Sequence, residues 1–372
     1  MTSVAIVCAA GIVSGKEIMA LELAKGLRDK GCIVDVVTSF WGNGEFVRRL
    51  ENEKLPAHIM RLGFISATLN LECLRMTMHQ ILFWPGLLWR YKRFLSGTRP
   101  DRIIHTNWHH VLLLWPLLRP ERDIYWSHEV IPAKPQYRLL FLALVNRIKL
   151  FVAVSKAAAQ SLLKSGVPEQ KVTFIYNGIS DPATTHSIKS ENAALTVGIV
   201  GQVGAWKGHE DLLEAFKIVL QAQPNAELHI FGRSSSEYAT FLRRRATELG
   251  VNRNVIWRGF IEVPAKIYGD LSILVVPSRS EDTLPTVAIE AGFFGIPVIA
   301  SDKGGLPEIM EDQVTGLLFP SGDIQQLASA LKKLLSDGMF RGEMGRNARS
   351  RVEQKFSRDR FIGDFFRLLK AA

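Results

Sequence analysis

The chain has 372 residues, 47% hydrophobic and 22% charged, which suits two packed domains and excludes the disordered and low-complexity classes. Its three cysteines, Cys8, Cys32 and Cys73, are odd in number and lack metal-ligand spacing, which argues against a disulfide framework and for a reducing cytosol. The net charge of +10 is one-sided: residues 1–180 hold 23 Lys/Arg and 13 Asp/Glu, residues 181–372 hold 23 of each, so an anionic partner is expected for the first half, with plain solubility charge as the other reading.

In chain order, the first 180 residues alternate apolar runs with helical patterns. Val4–Ala9 reads as a strand, not as the basic start of a signal peptide. A loop, Ala10–Glu17, follows it. Ile18–Lys30 then has Leu21, Leu23, Ala24 and Leu27 on one face and stops at Gly31. Cys32–Ser39 is the next strand. No G-x-G-x-x-G follows the first strand, which disfavours a nicotinamide dehydrogenase. Further strands are predicted at Arg102–His105, Asp123–Trp126, Leu150–Val154 and Val172–Tyr176, with a helix capped by Ser155 running through Leu163. Residues 69–95 interleave Trp84, Trp89, Tyr91 and Phe94 with Arg90, Lys92 and Arg93. That mixture suits a membrane interface, or equally a buried helix with a solvated basic end. No apolar run is long enough to span a bilayer.

Residues 181–195 read as a linker, and the pattern then restarts. Strands are expected at Val197–Val200, Ala226–Phe231, Val255–Arg258, Ile273–Val276 and Val298–Ala300, with a helix at Asp211–Gln221. Alternation of this kind predicts α/β architecture with parallel sheets: two Rossmann-like domains facing across a cleft. The expected boundaries are 1–181 and 196–355, with a terminal helix in 356–372.

Chemistry-bearing residues cluster where predicted strands end, the edge at which open α/β sheets bind ligands. After Ile273–Val276 come Glu281 and Asp282, then Leu284, Pro285, Thr286 and Glu290. A helix beginning near Pro285 and Thr286 offers free N–H groups to an anion, and Glu290 can accept two hydroxyls of a vicinal diol. After Val197–Val200 comes Gly201-Gln202-Val203-Gly204-Ala205-Trp206-Lys207-Gly208, in which Lys207 is a point charge suited to phosphate. Taken singly, these residues also have plain readings, a capped helix with solvated acids and a lysine in a turn.

Together they resemble the retaining GT-B glycosyltransferases of family 4. Asp282 and Glu290 stand at the two positions of that family's E-x7-E motif, with Glu281 one residue before the first, so either acid can face the donor sugar. Lys207 and Gly208 match its G-R-x-x-x-x-K-G segment, where Gln202 replaces the arginine; Arg233 and Arg279 are the candidate substitutes. Ser14-Gly15-Lys16-Glu17 matches its G-G-x-E loop at Gly15 and Glu17. His128 matches a histidine that contacts the donor sugar, while His105, His109 and His110 line the acceptor side or bind nothing. Phe231-Gly232-Arg233-Ser234 resembles a loop that frames the base. Gly304-Gly305 and Thr315-Gly316 match segments taken as architectural, and the resemblance implies that the terminal helix packs back on the first domain.

The resemblance implies an enzyme moving a sugar, with retention, from a nucleotide diphosphate sugar to a glycan, lipid-linked or small-molecule acceptor. Glu281, Asp282, His128 and Lys207 would carry the chemistry. Gly15, Gln202, Lys207, Arg233, Arg279, Leu284, Pro285, Thr286 and Glu290 would bind the donor. With no D-x-D motif, no metal or other cofactor is expected. The expected setting is cytoplasmic, at the inner membrane face through the basic half, without nucleic acid. A nucleotide-sugar epimerase, an inverting GT-B transferase and a non-catalytic nucleotide-sugar binder remain the alternatives.

Overall fold

The computed structural model describes residues 1–9, 13–39, 44–63, 65, 71–183, 195–233 and 235–371. Ala10, Gly11 and Ile12 of the first loop, Leu69 and Asn70, residues 184–194 of the expected linker, and Ser234 lie outside them. Two compact units result, Met1–Gly178 with Arg358–Ala372, and Ile179–Ser357.

The first unit holds β1 (Ser3–Val7), β2 (Ile33–Thr38), β3 (Ala57–Ile59), β4 (Arg102–His105), β5 (Asp123–Ser127), β6 (Leu150–Ala153) and β7 (Val172–Phe174), in the order β3-β2-β1-β4-β5-β6-β7. The second holds β8 (Thr196–Val200), β9 (Glu227–Phe231), β10 (Val255–Gly259), β11 (Ile273–Val276), β12 (Val298–Ser301) and β13 (Gly316–Phe319), in the order β10-β9-β8-β11-β12-β13. Neighbouring strands pair in parallel throughout, from Val4↔Val34 in β1 and β2 to Ser301↔Phe319 in β12 and β13. The interior strands are buried on both faces, as helix-covered parallel strands must be, which is why they read as unbroken apolar runs: Val4, Ala5, Ile6 and Val7 are fully inaccessible. Each unit is therefore a Rossmann-like α/β domain. Its strand order reverses between β1 and β4 in the first and between β8 and β11 in the second.

Several expected boundaries shift for local reasons. The first strand was expected through Ala9 but ends at Val7; Cys8 and Ala9 stay buried after leaving the ladder and so extend the apolar run. The first helix spans Gly15–Asp29, three residues earlier than its apolar face begins, because Ser14 caps it. Glu17 Oε2 accepts from the Ser14 N–H at 2.9 Å and the Ser14 hydroxyl at 2.6 Å, a capping box. Residues 69–95 do not form one run: helices Leu71–Leu82 and Trp84–Thr98 break at Phe83, ahead of Pro85. The terminal helix Arg358–Ala371 packs on helix Gly15–Asp29 within the first unit. Arg358 pairs with Glu22 at 2.6 Å, Trp126 meets Phe365 at 4.9 Å, and a Cβ on Gly26 would fall 2.4 Å from Ile362.

Candidate functional site

In the second unit the loops leaving β8 and β11 lie side by side, because those two strands pair at the point of reversal. The β8 loop ends in Gly208, at φ +71°, where a Cβ would sit 1.9 Å from the Pro277 carbonyl oxygen; only glycine lets the two loops approach this closely. Lys207, one residue earlier, reaches across to Asp282 and donates to both carboxylate oxygens at 2.8 Å. Ser278 donates to the same carboxylate at 2.6 Å. Both members of the Lys207–Asp282 pair keep about a fifth of their side-chain surface in solvent (23% and 21%), so the pair is open to an incoming ligand. His209, next in the chain, is buried and pushed down to about 4 by that burial, so it stays neutral beside the lysine.

The acidic loop is shaped from behind. Gly304, at φ +55°, would drive a Cβ to 2.1 Å from the Asp282 carbonyl oxygen, and the Gly305 N–H donates to that oxygen at 2.7 Å. The glycine pair read as architectural thus holds the backbone that carries Asp282. Leu284 is buried beneath it, Pro285 occupies the N-cap position, and helix Thr286–Phe293 begins at Thr286. Glu290 lies on this helix. Its Oε2 accepts from the Tyr268 hydroxyl at 2.8 Å. Burial raises the Glu290 carboxyl above its ordinary value, against hydrogen bonds from Tyr268 and Thr286 that lower it.

The two acids preceding this helix therefore part company. Asp282 is engaged by Lys207 and Ser278, whereas Glu281 is exposed. Of the candidate substitutes for the missing arginine, Arg279 is committed elsewhere. Arg279 forms a bidentate pair with buried Asp211, with Nε 2.7 Å from Oδ2, and the Asp211 hydrogen bond raises its pKa. Arg233 is exposed, its guanidinium 5.3 Å from the centre of the Phe260 ring. Gln202 is exposed.

In the first unit, Gly15 opens the first helix with no atom within 4 Å of a would-be Cβ. Glu17, buried, closes the capping box and lies 3.3 Å from Lys16. His128 sits at the end of β5 with its ring 4.2 Å from Trp126; burial, with Lys16 adding to it, pushes the imidazole well below its ordinary value. His109 is pushed down to about 4 by burial, and His110 well below its ordinary value for the same reason. His105 lies buried 2.7 Å from buried Asp123, which also holds Arg122 at 3.2 Å. Among the described residues no group of three or more His, Cys, Asp or Glu side chains is arranged for a metal ion.

Sequence reasoning missed Tyr268, Ser278 and Asp211. Tyr268 is 22 residues from Glu290, and Asp211 is 68 from Arg279, so no local motif joins them. Ser278 had a signal, as the first hydroxyl after a strand that ends beside a ligand-binding edge.

A family model described as Glycosyltransferase Family 4 matches residues 13–181, and one described as Glycosyl transferases group 1 matches residues 184–351. A capsular polysaccharide biosynthesis glycosyltransferase of Staphylococcus aureus is 26% identical over 239 residues, 59% of this chain and 62% of that protein. A GDP-mannose-dependent mannosyltransferase of Corynebacterium glutamicum, acting on a monoacylated phosphatidylinositol monomannoside, is 35% identical over 159 residues, 41% of this chain and 40% of its own. The chain thus spans less than two thirds of the curated relatives it matches. The solved structure of Anabaena HepE in complex with UDP and glucose superposes with a TM-score of 0.79 at 18% identity over the whole of both chains, a likeness of fold. Two consecutive family matches over twin Rossmann-like units identify the chain as a member of the GT-B glycosyltransferases of group 1 and family 4.

Proposed function

We propose that the protein is a retaining glycosyltransferase that moves a sugar from a nucleotide diphosphate sugar to a glycan or lipid-linked acceptor at the inner face of a membrane. The observation that carries this reading is the reach of Lys207 across the reversal point to Asp282, beside the start of the helix that bears Glu290.

A diphosphate bound at this edge has Lys207 and the N–H groups at Thr286 for its developing charge. Asp282 or Glu281 accepts hydroxyls of the sugar, and Glu290 accepts those of the ribose. The bond from the anomeric carbon to the diphosphate oxygen breaks and one to the acceptor oxygen forms on the same face, the acceptor's proton passing to the departing phosphate. The cation is a side chain throughout, and the reading takes no metal or further cofactor as a working part. HepE holds UDP and the Corynebacterium relative uses GDP-mannose, which supports a nucleotide sugar while leaving the base to experiment. The membrane part rests on the charge excess of the first half and the acylated substrate of that relative.

The test is a panel of nucleotide sugars read by thermal shift and turnover, with the product anomer assigned by NMR. A donor at a hundred times its Kd should stabilise the fold by about 2.7 kcal/mol. Inversion at the anomeric carbon, or an epimerised donor without transfer, selects the corresponding alternative. No shift with any nucleotide sugar removes the reading.

A further inference from the structure

Arg279 grips the segment around Lys207 at two points. Its backbone N–H donates to the Trp206 carbonyl at 2.8 Å. Its guanidinium makes a forked pair with Asp211, Nε lying 2.7 Å from Oδ2 and Nη2 donating to Oδ1. Trp206 precedes Lys207 within the tight turn Ala205–Lys207, and Asp211 sits in the first turn of the helix that follows, His209–Leu220. One residue of the β11 loop thus holds the chain on both sides of the lysine. Lys207 closes the ring: it donates to Asp282, which also accepts from Ser278, the residue before Arg279.

The Arg279–Asp211 pair is lopsided. The Asp211 side chain is 2% exposed and that of Arg279 55%. A buried carboxylate depends on its partner, and a fork fixes direction as well as distance. The same pairing argues against Arg279 as the diphosphate cation that Gln202 leaves missing, because an incoming anion meets the carboxylate's charge along with the guanidinium's. Lys207 differs. Its partner Asp282 keeps 21% of its side chain in solvent and can turn to a ligand hydroxyl, whereas buried Asp211 has no such alternative.

We propose that Arg279 is a positioning residue: clamped on Asp211, it fixes where Lys207 presents its ammonium to the leaving diphosphate, and it does not itself bind the donor. This inference rests on the role given to Lys207 in the proposed function and deepens it by naming the residue that sets that role. A displaced ammonium still attracts the diphosphate of the ground state but meets its developing charge poorly, so the clamp acts on kcat more than on donor KM.

Steady-state kinetics with UDP-glucose and GDP-mannose, and with the panel hit if it is neither, test the clamp well below each variant's melting temperature. Arg279→Lys keeps the charge and loses the fork; its kcat should fall on the order of tenfold with donor KM little changed. Asp211→Asn frees the arginine, and it should lose kcat to a similar degree. Direct donor binding by Arg279 predicts the opposite there, a lower donor KM, because a released guanidinium has its full charge to offer. Lys207→Ala/Arg279→Lys should be no slower than Lys207→Ala alone, since the arginine acts through the lysine. Arg279→Ala leaves Asp211 buried and unpaired and should lose the most thermal stability; if it fails to fold, the Lys and Asn variants carry the test.

Additive kcat losses from Lys207→Ala and Arg279→Lys would overturn the clamp. So would a raised donor KM at unchanged kcat in Arg279→Lys, or a lowered one in Asp211→Asn. A lower melting temperature with wild-type kcat in both variants would make the pair structural only. Lys207→Ala at wild-type turnover sinks the reading of the site itself, whereas a large loss there with additive behaviour at Arg279 sinks this inference alone.

Discussion

The two units share a strand order and differ in what stands at the edge where that order reverses. At the β8–β11 edge the charges are paired and partly open to solvent, as in Lys207 with Asp282 and Arg279 with Asp211. At the β1–β4 edge the histidines are buried, with His109 and His110 held deprotonated by burial, and the one ion pair given above, Lys16 with Glu17, has its carboxylate buried. The bulk charge runs the other way. The first unit carries 27 Lys/Arg against 15 Asp/Glu, and the second 19 against 21. One backbone scaffold therefore supports two electrostatic regimes, because the scaffold only decides where loops emerge and the loop residues decide the chemistry. Excess cation in the first unit lies away from its own reversal point, on elements such as the two helices spanning 71–98.

The sharpest way to break this contrast is Lys207→Ala. If the second edge holds the leaving diphosphate, turnover should fall by about 10²–10³-fold, the usual loss for one preorganised donor to developing charge, with a smaller change in donor affinity. Single-turnover transfer assays measure it, and a loss as large from His128→Ala would make the two edges equivalent.

Acid stability sharpens the other side. The folded His109 ring refuses a proton until about pH 4, whereas the unfolded chain takes one near the ordinary histidine value of 6.5. Its contribution to stability is present above 6.5 and is lost as pH falls toward 4. His109→Gln should remove about 2 kcal/mol of the stability drop between pH 7 and pH 4.5, read by urea denaturation at both values. An unchanged drop would mean the buried histidines are not what makes that edge different.

The smallest expected effect is at Tyr268. Its hydrogen bond lowers a Glu290 carboxyl that burial has raised, so Tyr268→Phe pushes that carboxyl higher still. The ionised form is the one that accepts ribose hydroxyls, and donor affinity should decline as pH falls through the raised value. In Tyr268→Phe that decline should begin at higher pH, with a loss of a few-fold near neutrality, about 1 kcal/mol. Calorimetric titration of donor across pH settles it; superimposable profiles would remove Tyr268 from the site.

Much of the site was legible because glycines, strand ends and the helix start at Thr286 are local signals. Lys207 and Asp282 each follow a strand by a few residues, with Glu290 on the helix after the second, and a parallel strand must deliver such loops to one edge. Other features were illegible for equally physical reasons. β3 is two half-buried residues and one exposed residue at a sheet margin, too short for a periodic signal, and β13 reads as a glycine-started tail of a motif. The apolar spacing within 71–82 was visible, but nothing local says whether such a stripe faces core or solvent.

The sequence by itself determined the alternation of strand and helix, the two-unit organisation and the positions that need glycine, since all three follow from short-range sterics and burial periodicity. Only the tertiary structure decided that Asp282 answers Lys207 across 75 residues, that Tyr268 rather than a charged group holds Glu290, that Arg279 is spent on Asp211, and that helix Leu71–Leu82 turns its apolar side outward. Those pairings depend on which strands become neighbours, and strand order is a property of the whole packed sheet that no window of adjacent residues encodes.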